Sequence, residues 1–278
     1  MEVDRIICGD CLDVMKDMPD NSVDLVLTSP PYETLRDYQG YQFDFPCVAD
    51  ALYRVIKDGG VLVWIIKDKT VDGSESGNSF EQALYFKNIC GFKIHDTMIY
   101  SKNGVNYPTP KRYYDTFEYM FVLTKGKIKT ANLISDRQNF WVGSAGNSGT
   151  CRQQDGTKKQ RAESFHKDVK TQGIRWNVWT YNTGFNLSSK EKIAFEHPAI
   201  FPEQLAFDHI RSWSNKGDLV LDPMCGSGTT CKMAKMLGRH YIGIEISEKY
   251  CEIARKRIEA AEQGITVNEL EKGQKVLF

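Results

Sequence analysis

The chain has 278 residues and a formal net charge of zero, because 36 lysines and arginines balance 36 aspartates and glutamates. Hydrophobic residues make up 41% and charged residues 26% of the sequence, which is typical of a folded globular protein and excludes an intrinsically disordered chain. The balance also excludes a protein coated in positive charge, whereas a local basic patch for a nucleic acid remains compatible with it.

No stretch of the sequence is suited to a membrane. The longest run of aliphatic or aromatic residues, residues 61–66, is much too short to cross a bilayer. The first residues lack the basic start and apolar stretch of a secretory signal. The eight cysteines are scattered through the chain, which is typical of reduced thiols. We therefore expect a cytoplasmic protein without a membrane partner.

Hydrophobic periodicity predicts alternating strands and helices. In the first half we expect strands at residues 5–8, 23–27, 61–66, 92–100 and 117–124. Helices are predicted at residues 12–19 and along a face formed by Val48, Leu52, Val55 and Ile56, the second helix ending at Gly59 and Gly60. Residues 68–79 are polar and rich in Gly and Ser, which predicts a mobile loop.

The second half begins with a segment that is poor in large aliphatic residues, from 143 to 173. Regular structure resumes with predicted strands at residues 219–221 and 241–246 and helices at 230–237 and 248–261, the last with Ser247 as its N-cap.

A glycine loop separates the first of these late strands from its helix. Gly226 and Gly228 allow a tight turn, and the free N–H groups at the helix start favour a carboxylate or phosphate. Glu245 follows at the end of the next strand, where an acid accepts hydrogen bonds from ribose hydroxyls. The combination predicts a site for an adenosine-type cofactor. Only 33 residues follow Glu245, so the remaining strands of the sheet must come from the N-terminal half, in a permuted order.

A second loop, Thr28 to Tyr32 (Thr-Ser-Pro-Pro-Tyr), stands at the carboxyl end of a predicted strand, where open α/β sheets bind ligands. Its two prolines stiffen the backbone and remove N–H donors, and so leave carbonyl oxygens free to accept hydrogen bonds. We expect this loop to be functional rather than a simple strand-ending turn.

The pairing of this loop with the later glycine loop, Asp222 to Thr230, resembles the β class of DNA amino-methyltransferases. In that family the catalytic motif precedes the S-adenosylmethionine motif. Two flanking segments agree with the resemblance, namely residues 8–13 (Cys-Gly-Asp-Cys-Leu-Asp) and residues 197–203 (His-Pro-Ala-Ile-Phe-Pro-Glu). The resemblance covers residues 5 to about 260.

The resemblance implies an α/β fold with a mostly parallel, seven-stranded Rossmann-like methyltransferase sheet and helices on both faces. It implies S-adenosylmethionine as cofactor, and no metal. It divides the chain into a catalytic half (1–142), a small target-recognition insertion (143–175) and a cofactor-binding half (176–278). The cofactor-binding residues that it implies are Asp10, Thr28, Phe201, Asp222, Pro223, Cys225, Gly226, Gly228, Thr229, Thr230 and Glu245.

The implied catalytic residues are Ser29, Pro30, Pro31 and Tyr32. Our hypothesis is that the Ser29 hydroxyl and the Pro30 carbonyl accept hydrogen bonds from an exocyclic amino group while Tyr32 stacks on the base. The amino group is shielded in a duplex, so the base must be flipped into the site. In the resembling family a serine at the first motif position favours N4 of cytosine. N6 of adenine remains the alternative, and nothing in the residues separates DNA from RNA.

Double-stranded DNA is the expected partner, and a cognate restriction endonuclease is a further candidate. A run of basic residues in the predicted insertion suits phosphate contact: Arg152, Lys158, Lys159, Arg161, Lys167, Lys170 and Arg175. The neighbouring Lys125, Lys127 and Lys129 are candidates to extend this patch, and Trp176 and Trp179 are candidates either for stacking on bases or for the core.

Other functions are less consistent with the sequence. Methylation at C5 of cytosine needs a nucleophilic cysteine, and we interpret Cys47 as packing and Cys225 as a small filler in the glycine loop. An NAD-dependent dehydrogenase does not account for the Ser-Pro-Pro-Tyr loop. A catalytically silent DNA-binding protein does not need both motifs. The Cys8-x-x-Cys11 spacing has no second pair at zinc-ligand distance and is interpreted as accidental.

Overall fold

The fold is described from a computed structural model, which describes residues 1–31, 43–104, 111–140, 142, 150–160, 169–265 and 267–271. The chain divides into two compact units, a large one formed by residues 1–132 and 177–278 and a small one formed by residues 133–176. No helix within the described ranges is long and apolar enough to cross a membrane.

The described strands alternate with helices along most of the chain. In chain order the strands are β1 (Arg5–Cys8), β2 (Val23–Thr28), β3 (Ile56–Ile66), β4 (Thr70–Val71), β5 (Ser74–Glu75), β6 (Lys93–Lys102), β7 (Phe117–Thr124), β8 (Arg137–Gln138), β9 (Thr150–Arg152), β10 (Lys158–Gln160), β11 (Gln172–Gly173), β12 (Val178–Tyr181), β13 (Leu219–Asp222) and β14 (His240–Glu245). The helices are α1 (Cys11–Lys16), α2 (Phe45–Val55), α3 (Asn78–Tyr85), α4 (Glu203–Trp213), α5 (Thr229–Met236), α6 (Glu248–Glu262) and α7 (Val267–Glu271), with a π-helical turn at Phe86–Cys90 and a 3-10 helix at Lys192–Glu196.

One eight-stranded sheet organises the large unit, in the order β1-β14-β13-β2-β3-β7-β6-β12. Every neighbouring pair is parallel except for β7, which runs antiparallel to both β3 and β6. The late strands β13 and β14 lie between β1 and β2, so both ends of the chain complete a single sheet. The predicted α/β class and permuted order are therefore confirmed.

Helices cover both faces of this sheet. On one face, Met15 of α1 and Leu52 of α2 belong to the same hydrophobic cluster as Val26, Leu62 and Leu221 of the strands. On the other face α4, α5 and α6 pack in sequence, and α5 contacts both β13 and β14. Because successive side chains of a strand point to opposite faces, the central strands are buried on both sides, as their long hydrophobic runs require.

The sheet differs from the prediction by one strand. Seven strands were expected, and the eighth is β12, which pairs in parallel with β6 at the edge. Its residues alternate between exposed Val178 and Thr180 and buried Trp179 and Tyr181, which is typical of an edge strand with one covered face. Four residues are too few for periodicity alone to identify the strand.

Two local predictions are wrong. The helix α2 ends at Val55 rather than at Gly59, because Ile56 already begins β3 and pairs with Val23. Residues 68–79 are not a plain loop, since they form the β4–β5 hairpin and the start of α3. Asp68 accepts hydrogen bonds from the backbone N–H and the hydroxyl of Ser79, which holds that helix start in place.

Among its described residues the small unit has two short antiparallel pairs, β9 with β10 and β8 with β11. Within it, the Arg175 guanidinium forms an ion pair with Asp136, and Arg137 lies 5.3 Å from the centre of the Trp176 ring. The unit extends from residue 133 to 176, so its first boundary lies ten positions before the predicted start of the insertion at 143. Its role in target recognition stays a prediction.

Candidate active site

A cavity of about 490 Å³ opens at the carboxyl ends of the parallel strands. Gly9 and Asp10 reach it directly after β1, Ser29 after β2, and Pro223 after β13. Strand ends meet at this edge because β1, β14, β13, β2 and β3 all run in the same direction. The topology thus places the two predicted loops, which lie far apart in sequence, in the wall of one cavity.

The glycine loop has a backbone that only glycine adopts easily. Gly226 and Gly228 have φ values of +50° and +79°, in the left-handed region. A Cβ on Gly228 would lie 2.6 Å from the Cβ of Ala254 in α6, and a Cβ on Gly226 would lie 2.8 Å from the Nε2 atom of His197. The loop is therefore packed between α6 and the His197 ring, and side chains are excluded at both positions.

Two acids line the cavity from neighbouring strands. The Glu245 carboxylate accepts hydrogen bonds from the backbone N–H groups of Gly226 and Ser247, both at 2.9 Å. The Asp10 carboxylate accepts one from the N–H of Leu12 at 2.7 Å and so caps α1. Burial raises the pKa of Glu245 above its usual range, although its backbone hydrogen bonds act in the opposite direction. Both acids are fixed in position by the main chain around them.

Asp222 connects the glycine loop to the predicted catalytic loop. It is buried at the end of β13, and one carboxylate oxygen accepts hydrogen bonds from the Thr28 hydroxyl at 2.7 Å and from the Met224 N–H at 3.2 Å. Burial raises its pKa to about 6, against the hydrogen bonds that favour the ionised form. Asp222 therefore lines the cavity with a carboxylate that takes up a proton at a higher pH than an exposed aspartate does.

The predicted catalytic residues Ser29, Pro30 and Pro31 all line this cavity. Tyr32 lies outside the described residues. Of the predicted cofactor residues, eight also line it: Asp10, Phe201, Asp222, Pro223, Cys225, Gly226, Thr229 and Glu245. Thr28, Gly228 and Thr230 do not. Thr28 bonds to Asp222, Thr230 donates to the Leu27 carbonyl at 3.2 Å, and Gly228 packs against α6, so these three support the wall from behind.

One wall of the cavity is not predicted by the sequence. It carries two ion pairs, Lys67 with Asp115 and Lys102 with Glu118, beside the Tyr100 ring. Strand register explains the grouping, because Tyr100 of β6 stands directly opposite Glu118 of β7. Three of the five residues lie in β6 and β7, Lys67 follows β3 and Asp115 precedes β7, and no motif spacing in the sequence identifies them.

His197 was predicted to be a hydrogen-bonded structural residue. Its Nδ1 atom lies 2.7 Å from the carbonyl oxygen and 3.2 Å from the amide nitrogen of Ala199, and its ring packs edge-on against Tyr250, with centroids 4.5 Å apart. Both rings line the cavity. The histidine therefore shapes the cavity beside Gly226.

A buried ion cluster supports the glycine loop from outside. Arg257 of α6 is fully buried and donates to Glu191 and Glu203, each at 2.7 Å, and also to the carbonyl and hydroxyl oxygens of Ser227. Lys232 pairs with the same two glutamates at 2.9 and 3.0 Å. Burial alone would raise the pKa of Glu203, but the charges of Lys232 and Arg257 outweigh burial and leave it lowered.

Comparison with known proteins identifies the family. The sequence pattern of a DNA methylase family, N6_N4_Mtase, matches residues 23–256 of the chain. The chain belongs to this DNA methylase family. It is also 54% identical over 242 residues to the orphan methyltransferase M.BamHII of Bacillus amyloliquefaciens, a match that covers 86% of the chain and 89% of that protein. The DNA adenine methyltransferase YhdJ of Escherichia coli is 27% identical and covers 94% of the chain and 84% of its own length.

Solved structures with the same fold include two methylases. The cytosine-N4-specific PvuII DNA methyltransferase superposes with a TM-score of 0.66 at 19% identity and covers 96% of this chain and 92% of its own. TTHA0409 of Thermus thermophilus, solved in complex with S-adenosyl-L-methionine, superposes with a TM-score of 0.64 at 23% identity. The match covers 94% of this chain and 95% of TTHA0409. This likeness confirms that the sheet has the methyltransferase fold.

The basic residues of the predicted patch fall into three groups in the methylase. Arg152, Lys158, Lys159 and Lys170 are exposed on the small unit, and Arg175 is half-buried against Asp136. Arg161 and Lys167 lie outside the described residues. In the large unit the Lys125 ammonium donates to the Tyr53 and Ile56 carbonyls, and the extension of the patch by this residue stays a prediction.

The structure also gives the positions of the tryptophans and cysteines for which a role was predicted. Trp179 is buried in β12, whereas Trp176 is exposed. Cys225 is buried beneath the glycine loop beside Cys231, where a Cβ on Gly243 would lie within 3 Å of both sulfurs, as expected of a small filler. The interpretation of Cys47 as packing is wrong, because its side chain is exposed in the first turn of α2.

Proposed function

We propose that this methylase transfers a methyl group from S-adenosylmethionine to the N4 amino group of a cytosine in double-stranded DNA. The single observation that carries the proposal is that the Ser29-Pro30-Pro31 loop and the acids of the glycine-loop half line the same cavity. Neither loop alone would indicate a transferase. Together they place a loop suited to binding an amino group beside a site suited to the cofactor.

The residues of the cavity fit S-adenosylmethionine by their chemistry. The Glu245 carboxylate stands at the end of β14, where it suits ribose hydroxyls, and Asp10 stands next to it after β1. Phe201 and Tyr250 offer apolar and aromatic surface, and Asp222 offers a carboxylate for a cationic group. S-adenosylmethionine, when bound, would supply the activated methyl group, and the TTHA0409 structure that shares the fold contains it.

The Ser-Pro-Pro loop would bind and orient the target amino group. The lone pair of an exocyclic amino group is delocalised into the ring, so acceptors that hydrogen-bond its N–H groups favour the pyramidal, nucleophilic geometry. In our proposal the Ser29 hydroxyl and the Pro30 carbonyl are these acceptors, and Tyr32 stacks on the flipped base. The chain then acts mainly by positioning and electrostatic preorganisation. The buried Thr28 anchors this loop to the cofactor half through Asp222.

The choice of cytosine over adenine depends on Ser29. A serine oxygen accepts from either amino group, so the preference comes from the family pattern, in which serine at this position favours N4-cytosine enzymes. The fold is shared with the cytosine-N4-specific PvuII enzyme, and the more similar sequences include an adenine methyltransferase. Adenine N6 is therefore the competing outcome of the experiment below.

We also propose which part of the chain has which role. Residues 1–142 would form the catalytic half, 143–175 the target-recognition insertion and 176–278 the cofactor half. Exposed Arg152, Lys158, Lys159 and Lys170 would contact DNA phosphates, together with Arg161, Lys167 and Arg175. The name of the M.BamHII relative, an orphan methyltransferase, supports an enzyme that acts without a cognate restriction endonuclease.

The decisive experiment identifies the modified base. The purified methylase is incubated with S-adenosylmethionine and unmethylated duplex DNA, and the digested nucleosides are separated by chromatography and mass spectrometry. We expect N4-methylcytosine. N6-methyladenine as the sole product would overturn the cytosine assignment and leave the amino-methyltransferase intact, whereas C5-methylcytosine would contradict both.

Two variants test the proposed roles separately. Ser29→Ala should lower the rate of methyl transfer while S-adenosylmethionine still binds, because Ser29 belongs to the base-binding loop. Glu245→Ala should weaken cofactor binding, measured by calorimetry, because the ribose loses its carboxylate. If Ser29→Ala transferred methyl groups at the wild-type rate, the serine would have no role in orienting the amino group.

A further inference from the structure

Three side chains with metal-ligating atoms meet beside the cavity but do not line it. The sulfurs of Cys8 and Cys251 and a carboxylate oxygen of Glu248 all lie within 4.8 Å of one another. Cys8 ends β1, while Glu248 and Cys251 stand three positions apart in the first turns of α6 and therefore on one face of that helix. It is the only such group of three among the residues whose positions the structure describes.

The accessibility of the group suits an ion that arrives from solvent. Cys8 and Glu248 are exposed, and Cys251 is buried behind them. Two thiols and one carboxylate match zinc, which binds thiolate sulfur at about 2.3 Å and carboxylate oxygen at about 2.0–2.2 Å, with water completing a tetrahedron. They do not match magnesium or calcium, because these ions take oxygen ligands only.

The surrounding groups are compatible with a bound cation but limit the affinity of the site for it. Arg255 donates to the Glu248 carboxylate at 2.7 Å and so offsets part of the negative charge of two thiolates and a carboxylate. Hydrogen bonding to Glu248 raises the pKa of Cys8, and burial raises the pKa of Cys251 to about 12, so both thiols are protonated. The ion must therefore displace two protons, which lowers its apparent affinity at neutral pH.

We propose that Cys8, Glu248 and Cys251 form a binding site for one thiophilic divalent cation of the zinc type. Neither the catalytic proposal nor S-adenosylmethionine is needed for it. The Cys8-x-x-Cys11 spacing does not supply the pair, because Cys11 is buried in the hydrophobic cluster of α1. The ligands come from opposite ends of the chain, which explains why no spacing motif predicts them.

The position of the site gives it a structural consequence. Gly9 and Asp10, which line the cavity, directly follow Cys8, and Tyr250 directly precedes Cys251. The Cys251 thiol also donates to the Glu245 carbonyl at 3.3 Å. A bound ion would cross-link the end of β1 to α6 on the outer side of the Glu245 region. Because it binds the folded chain, it raises resistance to unfolding.

The test measures zinc binding to the full chain, purified free of metal, by competition with a chromogenic chelator. Wild type is expected to bind one equivalent of Zn²⁺, and Cys8→Ser and Cys251→Ser are each expected to bind it at least about tenfold more weakly. Cys47→Ser is the matched control, since Cys47 is exposed and also hydrogen-bonds to an acid, Asp44. This control is expected to bind like wild type.

A second measurement keeps the result independent of folding defects. Cadmium bound to thiolates gives an ultraviolet charge-transfer absorption, which should appear in wild type and Cys47→Ser and be reduced in the Cys8 and Cys251 variants. Circular dichroism without metal establishes that each variant is folded. Equal zinc affinity in wild type and folded Cys8→Ser, or no thiolate absorption in wild type with Cd²⁺, would overturn the proposal.

Discussion

The Thr28 hydroxyl donates a 2.7 Å hydrogen bond to the Asp222 carboxylate, and both residues are buried although 194 positions separate them in the sequence. Thr28 ends the strand that leads into the Ser-Pro-Pro loop, and Asp222 ends the strand that leads into the glycine loop. This bond therefore joins the two functional halves of the methylase at the point where their strands run side by side.

Removing this bond should destabilise the fold. In Thr28→Val the Asp222 carboxylate oxygen keeps the Met224 N–H but loses the Thr28 hydroxyl, and a hydrogen bond to a charged group contributes about 1.5–3 kcal/mol. Urea unfolding measures the loss. Thr28→Ser is the control, because it keeps a donor. Equal stability of the two variants would mean that the bond contributes nothing.

The pH dependence of stability should reveal Asp222. Burial raises its pKa from 3.8 to about 6, so the folded state holds the proton more tightly than the unfolded state does. This group therefore favours folding below about pH 4, and that contribution is lost as the pH rises to about 6, a change of about 3 kcal/mol.

The variant Asp222→Asn isolates this effect from those of other groups. Its stability relative to wild type should improve by about 2 kcal/mol between pH 4 and pH 7, because asparagine does not ionise. Denaturant unfolding at both pH values measures the difference between the two proteins. A difference that does not change with pH would show that the Asp222 pKa is ordinary in the folded protein.

The ion cluster behind the glycine loop should respond strongly to the loss of its centre. Arg257→Met leaves Glu191 and Glu203 buried with only Lys232 as a cationic partner, and breaking a buried pair costs about 3–5 kcal/mol. The double variant Arg257→Met/Glu203→Gln should lose less than the sum of the two single variants, because the residues share one interaction. Urea unfolding of all four proteins checks this, and strict additivity would contradict the coupling.

Charge reversal on the small unit should weaken DNA binding. In Lys158→Glu/Lys159→Glu, the slope of log affinity against log salt should become shallower by about 1 for each phosphate that the protein no longer neutralises. The control is Lys93→Glu/Lys216→Glu, which changes two exposed lysines that begin β6 and precede β13, at the sheet edge opposite the cavity. Fluorescence anisotropy with duplex DNA measures both pairs. Unchanged affinity of the Lys158/Lys159 variant in low salt would exclude these contacts.

The α/β class, the positions of the long buried strands and the two loops can all be predicted from the amino-acid sequence alone. Each of these features depends on residues that are close together in the sequence. A continuous hydrophobic run such as residues 61–66 forms a buried strand, and Gly226 and Gly228 adopt positive φ values that other residues rarely adopt. In the sequence the Ser-Pro-Pro-Tyr loop also precedes the glycine loop, an order that the resembling family shares.

Which distant residues share a wall of the cavity depends on the tertiary fold and is not visible in the sequence. The ion pairs Lys67–Asp115 and Lys102–Glu118 reach the cavity through strand register, and Cys8 meets Cys251 because β1 and β14 are neighbours with α6 following β14. The eighth strand, β12, likewise exists because it pairs with β6. Such contacts depend on pairing between segments that are remote in the chain. The hydrophobic periodicity within one segment does not predict which other segment it pairs with.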